Sequence, residues 1–191
     1  ANWYTKENGM KAYEMMSCYM GLLRLYHITH EESLLRAVET AVSHIMQEEI
    51  NIAGSGSAFE CWYGGNHLQT LPAAHTMETC VTVTWMQLCA ELLKVTKDTK
   101  YADEIERSAY NALIASMRAD GQKIAKYSPL AGHRYEGERQ CGLDINCCTA
   151  NAPRGFCLLP SVMYGGDNGE IDVNLYAPST ATVSIDGRHQ V

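Results

Sequence analysis

The sequence predicts a mainly α-helical chain that turns to β-structure near its end, and two observations carry this. Apolar residues recur three and four positions apart through successive segments from Met10 to Met163, the period of helices that each bury one stripe. Beyond Gly165-Gly166-Asp167-Asn168-Gly169 the period changes to alternation, through Ile171, Val173 and Leu175 and then Ala181, Val183 and Ile185. Two strands form no stable sheet alone, so partner strands are expected beyond Val191 or on another chain, as the remainder of the same protein or as a homo-oligomer.

Met10, Tyr13, Met16, Met20, Leu23 and Tyr26 define a first helix over 9–27. Its methionines, Met10, Met15, Met16 and Met20, read as core filling. Thr29-His30-Glu31-Glu32 supplies a capping residue and acids suited to a helix N-terminus, and Leu34, Leu35, Val38, Ala41, Val42, Ile45 and Met46 continue as a second stripe. The two form a helical hairpin with a short turn. Over 51–75 the pattern breaks into a Gly-punctuated loop that holds Phe59, Glu60, Cys61, Trp62 and Tyr63. Loops of that length in compact domains are often functional.

A third helix is predicted over 78–97 through Val81, Trp85, Leu88, Leu92 and Val95, and a fourth over 100–118 through Tyr101, Ile105, Ala109, Ala112, Leu113 and Met117. Ala119-Asp120-Gly121 ends the fourth, with Gly where a helix C-terminus favours it. Residues 124–129 read as a short extended segment and 130–146 as aperiodic, Gly-rich and charged. A fifth helix is predicted over 150–163, with Pro153 in its first turn, where a missing N–H costs nothing. No internal sequence repeat stands out, although helical hairpins recur.

The chain has 191 residues, 46% hydrophobic and 19% charged, enough for one good-sized core. A net charge of −7 with scattered Lys and Arg offers no basic footprint for nucleic acid. No apolar run approaches the ~18 residues of a membrane span, so neither nucleic acid nor membrane is an expected partner. The first residues lack both an initiator Met and a signal pattern, and the chain reads as beginning mid-protein. The eight cysteines lack the spacing of a secreted disulfide scaffold, so mostly reduced thiols and a cytoplasmic setting are expected.

Chemistry concentrates in two clusters. Asn146-Cys147-Cys148-Thr149-Ala150-Asn151-Ala152-Pro153-Arg154 places two adjacent thiols ahead of a helix start, and Glu78-Thr79-Cys80 lies at the mouth of another. Together they offer one carboxylate and three thiols, an inventory that suits zinc. Residues two apart converge on one ion only where the backbone is irregular or entering a helix, and adjacent cysteines only from a turn. Against the metal reading stand buried small thiols, a disulfide within one pair, and a closed structural zinc. Spacing leaves catalytic and structural zinc equally open. Glu60, among aromatics, is either an ordinary loop carboxylate or a general acid whose pKa burial raises. His67, His75 and His133 lie in aperiodic sequence as possible ligands, substrate contacts or plain loop histidines. His27, His30 and His44 read as surface residues.

The sequence resembles the β-L-arabinofuranosidases of glycoside hydrolase family 127, over roughly residues 9–184. The residues that carry the likeness are Glu78-Thr79-Cys80, Tyr101-Ala102-Asp103-Glu104-Ile105-Glu106-Arg107 through Tyr110-Asn111-Ala112, the Asp120-Gly121 turn, and Cys147-Cys148-Thr149-Ala150-Asn151-Ala152-Pro153-Arg154. The resemblance implies the later helices of an (α/α)₆ barrel over 1–165 and the first strands of a β-sandwich over 166–191. It implies Zn²⁺ held by Glu78, Cys80, Cys147 and Cys148, with Cys147 also the nucleophile, Glu60 the acid/base and Tyr127 a sugar contact. The expected activity is retaining hydrolysis of β-L-arabinofuranosides or related sugars, on an oligosaccharide or glycoside substrate. The competing expectation is a non-catalytic helical carbohydrate-binding or interaction fragment with a structural zinc or free thiols. Since the match covers only later barrel helices, the fragment by itself is expected to lack part of its sugar site.

Overall fold

The computed structural model describes residues 10–65, 75–140, 142–143, 145–166, 170–185 and 188–190. Helices α1 (Ala12–Thr29) and α2 (Glu32–Glu48) form the first hairpin. Helix α1 closes at His30, whose left-handed backbone (φ 55) returns its N–H to Tyr26 O. The N-cap position of α2 is Glu31, whose side chain makes no capping hydrogen bond, and the Thr29 hydroxyl accepts the Glu31 N–H at 3.3 Å just ahead of the helix. The predicted stripes are the buried ones: Met16, Leu23, Val38, Ala41, Val42 and Ile45 are wholly enclosed. His27, His30 and His44 are exposed, as their positions outside those stripes require.

Helix α3 (Thr79–Thr96) is the central element, packed against α1, α4 (Lys100–Arg107) and α6 (Cys147–Val162). Val81, Val83, Trp85, Met86, Leu88, Cys89, Ala90 and Leu92 have no exposed surface, as suits a helix that is apolar on nearly every side. The polar end of the enclosed Trp85 is satisfied: its Nε1 donates to Glu104 Oε2 at 3.1 Å, and Arg107 pairs with the same carboxylate.

The predicted fourth helix is not continuous. After α4 the backbone widens into a π-helical segment, Ser108–Leu113, then closes in a short turn, α5 (Ile114–Ser116). The cause lies in the loop beside it. Ala53 O accepts the Ala112 N–H at 3.2 Å, a bond that an α-helix would keep, and Gly54 O accepts the Ser108 hydroxyl at 2.6 Å, which holds the loop against the segment. Gly54 permits this approach, because its φ is +78° and a Cβ there would lie 2.6 Å from Ser108 N.

Helix α6 starts at Cys147, ahead of the predicted 150, because Asn146 is an N-cap whose side chain accepts the N–H groups of Cys148 and Thr149. Cys147 and Cys148 therefore occupy its first turn, and Pro153 lies inside the helix. Gly155 lets α6 close on the core: a Cβ there would stand 2.8 Å from Val83 Cγ2 and 3.1 Å from Leu113 Cδ2. Beyond α6, β1 (Tyr164–Gly165) pairs antiparallel with β2 (Asp172–Val173), and β3 (Val183–Ile185) with β4 (Arg188–Gln190). The predicted strands are thus shorter than their alternation, and each finds a local partner in its own hairpin. No helix among the described residues is long and apolar enough to cross a membrane.

Candidate thiolate metal centre

Glu78, Cys80, Cys147 and Cys148 meet, each offering a ligand atom within 4.8 Å of the others. Glu78 is the N-cap of α3, with extended backbone (ψ 131), and Cys80 lies in that helix's first turn. The irregular backbone is what allows residues two apart to face one point. Cys80 Sγ lies 3.2 Å from Cys148 Sγ, Cys147 Sγ lies 4.0 Å from Cys148 Sγ, and both Cys147 and Cys148 lie 3.7 Å from Glu78 Oε1. These separations exclude a disulfide, whose sulfurs sit about 2.05 Å apart. All seven cysteines among the described residues are free.

The cluster stands where two helix N-termini converge, so the partial positive ends of α3 and α6 favour anionic ligands there. Without a cation the cluster cannot ionise together. Burial, with the nearby charges of Glu60 and Cys147, pushes Glu78 up to about 8. Cys147 is held low by hydrogen bonds from Cys148 and Cys80, and those two thiols are correspondingly raised because they donate to it. Glu78 Oε2 is buried without any hydrogen-bond partner, an orphaned acceptor in a pocket of soft donors. One carboxylate and three thiols fit zinc, for which sulfur–sulfur edges of about 3.8 Å follow from ~2.3 Å bonds.

Backbone pairing fastens the site. Glu78 and Tyr127 form a β-bridge, Thr79 N–H donates to Lys126 O at 2.9 Å, and the Thr79 hydroxyl donates to Ala125 O at 2.7 Å. The predicted extended segment at 124–129 is thereby the strap that holds α3's mouth. A cleft of about 240 Å³ opens on the cluster, lined by Tyr13, Glu14, Glu60, Glu78, Cys80, Gln140, Cys147 and Asn151. Cys147 is the half-buried sulfur in it, whereas Cys80 and Cys148 are buried.

Glu60 reaches this cleft from the tip of a two-residue turn. Ala58 and Cys61 exchange backbone hydrogen bonds at 2.8 and 2.9 Å, and the turn residues Phe59 and Glu60 have φ of 50° and 69°. Such turns favour Asn-Gly, and side chains as large as these cost on the order of 1–3 kcal/mol each there. The raised pKa that the general-acid reading of Glu60 would need is not found. Burial does push it up, but hydrogen bonds from Lys11 and Lys126 outweigh burial and hold it below the ordinary carboxylate range.

Tyr127 is buried beside the cleft. Its ring stands edge-on to His75 at 5.0 Å and stacks on Tyr135 at 6.2 Å, and burial raises its hydroxyl to about 12. His75 also stacks on Phe59, 4.8 Å between centroids, so it belongs to an aromatic cluster, not to the sulfur site. His133 is exposed, and His67 lies outside the described residues. Sequence reasoning passed over Lys11, Tyr13, Glu14, Lys126, Gln140 and Asn151. Asn151 alone carried a signal, since it stands within the motif around the paired cysteines; the others had no local mark.

Residues 2–161 match the family model described as β-L-arabinofuranosidase, GH127 catalytic domain. No curated protein matches the chain. Among solved structures, it is similar to a GH127 β-L-arabinofuranosidase from Geobacillus stearothermophilus T6, with a TM-score of 0.80 and 24% identity over 94% of this chain and 30% of that one. It is likewise similar to the GH127 β-arabinofuranosidase BT3674, at TM-score 0.81 and 26% identity over 94% of this chain and 28% of that one. A third, described as a glycoside hydrolase, has a TM-score of 0.77 and 23% identity over 95% of this chain and 34% of that one. The chain thus spans between 28% and 34% of the length of these structures. With its helices, and a family match that runs through both cysteine motifs, the chain belongs to the GH127 β-L-arabinofuranosidase catalytic-domain family.

Proposed function

We propose that this chain carries the reactive centre of a zinc-dependent retaining glycoside hydrolase acting on β-L-arabinofuranosides or related sugars, with residues 1–165 contributing barrel helices and 166–191 opening a β-sandwich. The observation that carries the reading is the convergence of Glu78, Cys80, Cys147 and Cys148 beside a cleft that Glu60 also lines. Those four side chains would hold zinc, which when bound offsets their negative charge and keeps the sulfurs deprotonated.

Cys147, the half-exposed sulfur, is the nucleophile. Its lone pair attacks the anomeric carbon, the bond to the leaving oxygen breaks, and that oxygen takes a proton from Glu60, leaving a glycosyl-thioether. Glu60 then accepts a proton from water, whose oxygen attacks the same carbon as the carbon–sulfur bond breaks and the thiolate returns. Lys11 and Lys126 favour the carboxylate form needed in this second step. For the first step Glu60 must take up a proton, which substrate makes easier if it displaces a lysine. Tyr127, bridged to Glu78, is the sugar contact.

The test is hydrolysis of an aryl β-L-arabinofuranoside by the full-length protein and its Cys147→Ala variant, with metal content measured in both. A loss of at least ~10³-fold in kcat, with the protein still folded, is expected. Retained hydrolysis by the variant would show that Cys147 is not the nucleophile. A protein that holds zinc, unfolds on chelation and hydrolyses no arabinofuranoside would instead favour the structural-zinc reading.

A further inference from the structure

The three sulfurs have different neighbours. Asn151 Nδ2 donates to Cys80 Sγ at 3.1 Å, while Asn151 Oδ1 accepts from Arg154 Nη1 at 2.7 Å. A guanidinium has donors only, so Arg154 determines which end of the amide is oxygen and turns the NH₂ toward sulfur. Asn151 is 8% exposed, with little room to rotate away. Both residues stand on α6, Asn151 one turn and Arg154 two turns past the paired cysteines, so the helix that delivers Cys147 and Cys148 also braces the sulfur delivered by α3. Cys148 Sγ is enclosed against Cys80 Sγ and Lys126 O. Cys147 Sγ instead lies against Cys148 Sγ and Glu78 Oε1, and its hydrogen bonds come from the Cys148 and Cys80 thiols and the Cys148 backbone, with no side-chain amide among them.

We propose that Asn151, oriented by Arg154, is a positioning residue that donates an N–H···S hydrogen bond to the Cys80 thiolate and so fixes Cys80 as a structural ligand of the centre. The inference rests on the zinc-thiolate reading above. An N–H donor draws electron density from a thiolate and steadies its orientation, as partners of metal ligands do.

The experiment uses full-length protein loaded with cobalt(II), read by its thiolate-to-cobalt charge-transfer absorption and by competition with a chelator. Asn151→Leu, similar in volume but without the donor, is expected to bind cobalt about 10–100-fold more weakly and to move the bands to longer wavelength. Asn151→Asp, the same shape without an N–H, weakens binding at least as much and decides the matter if Asn151→Leu does not fold. Arg154→Met shifts both readouts in the same direction and less, and Arg154→Lys, which keeps a donor, restores them toward wild type. Bands and affinity unmoved in both Asn151 variants overturn the inference, as does a loss of thermal stability with the bands unmoved. A wild-type protein without thiolate-to-cobalt bands would bring down the metal reading itself, and this inference with it.

Discussion

Lys126 Nζ lies 2.6 Å from Glu60 Oε1 while Lys11 pairs with the other oxygen of the same carboxylate. Glu60 is the charged group at the tip of a strained turn, and the two lysines come from the strap at α3's mouth and from the start of α1. Glu60 is therefore positioned by parts of the chain far apart in sequence, and its proton affinity is set by them.

Removing one lysine should loosen that hold. In the full-length protein, Lys126→Met is expected to raise the pKa of Glu60, so the limb of the kcat/KM profile on which the acid loses its proton moves to higher pH. The pH–rate profile of the variant against wild type checks this. Glu60→Gln should cost about 10²–10⁴-fold in kcat/KM on a poor leaving group, and less on an aryl glycoside whose departure needs little protonation.

Metal removal should cost stability. If free zinc stands roughly 1000-fold above Kd, chelation withdraws about 4 kcal/mol from the folded state. Thermal unfolding with and without chelator measures it. Glu78→Gln, which weakens the site, should narrow the gap between the two curves.

Glu49 predicts a stability change unrelated to the sulfur site. It is wholly enclosed, accepts the Tyr63 and Gly64 N–H groups at 2.5 and 2.9 Å, and anchors the 51–65 loop. Burial raises it to about 7, against the backbone donors of Tyr63, Gly64 and Gly65 that lower it. A carboxyl raised on folding contributes stability that is fully present below its unfolded value of 4.5 and lost as pH rises through about 7. The loss is on the order of 3 kcal/mol. Denaturant unfolding at pH 5 and pH 8 should show it, and Glu49→Gln should remove the difference.

Gly155→Ala tests the packing of α6 on the core. The added methyl would meet Val83 and Leu113 at 2.8 and 3.1 Å, closer than carbon atoms pack. Destabilisation of about 1–3 kcal/mol is expected, seen as a lower midpoint of denaturant unfolding with an unchanged slope.

Helical periodicity placed α1, α2 and α3 and their buried faces, because a stripe such as Val38, Ala41, Val42 and Ile45 is a local property that burial then uses directly. The donor inventory of Glu78, Cys80, Cys147 and Cys148 was also legible, since two short motifs carry it. Periodicity could not show the break at Ser108–Leu113, which arises from a loop backbone some fifty residues earlier, nor the start of α6 at Cys147, where one Asn146 side chain outweighs the missing apolar stripe. Nor could it show that Glu60 is held ionised, because the electrostatics of a carboxylate depend on which cations the fold brings to it. Which residue types could do chemistry was thus written locally in the chain. That three sulfurs and one carboxylate meet, that Asn151 braces one of them and that lysines hold Glu60 were decided by tertiary contacts, as hydrogen bonds and Coulomb forces act over ångströms in space and not along the sequence.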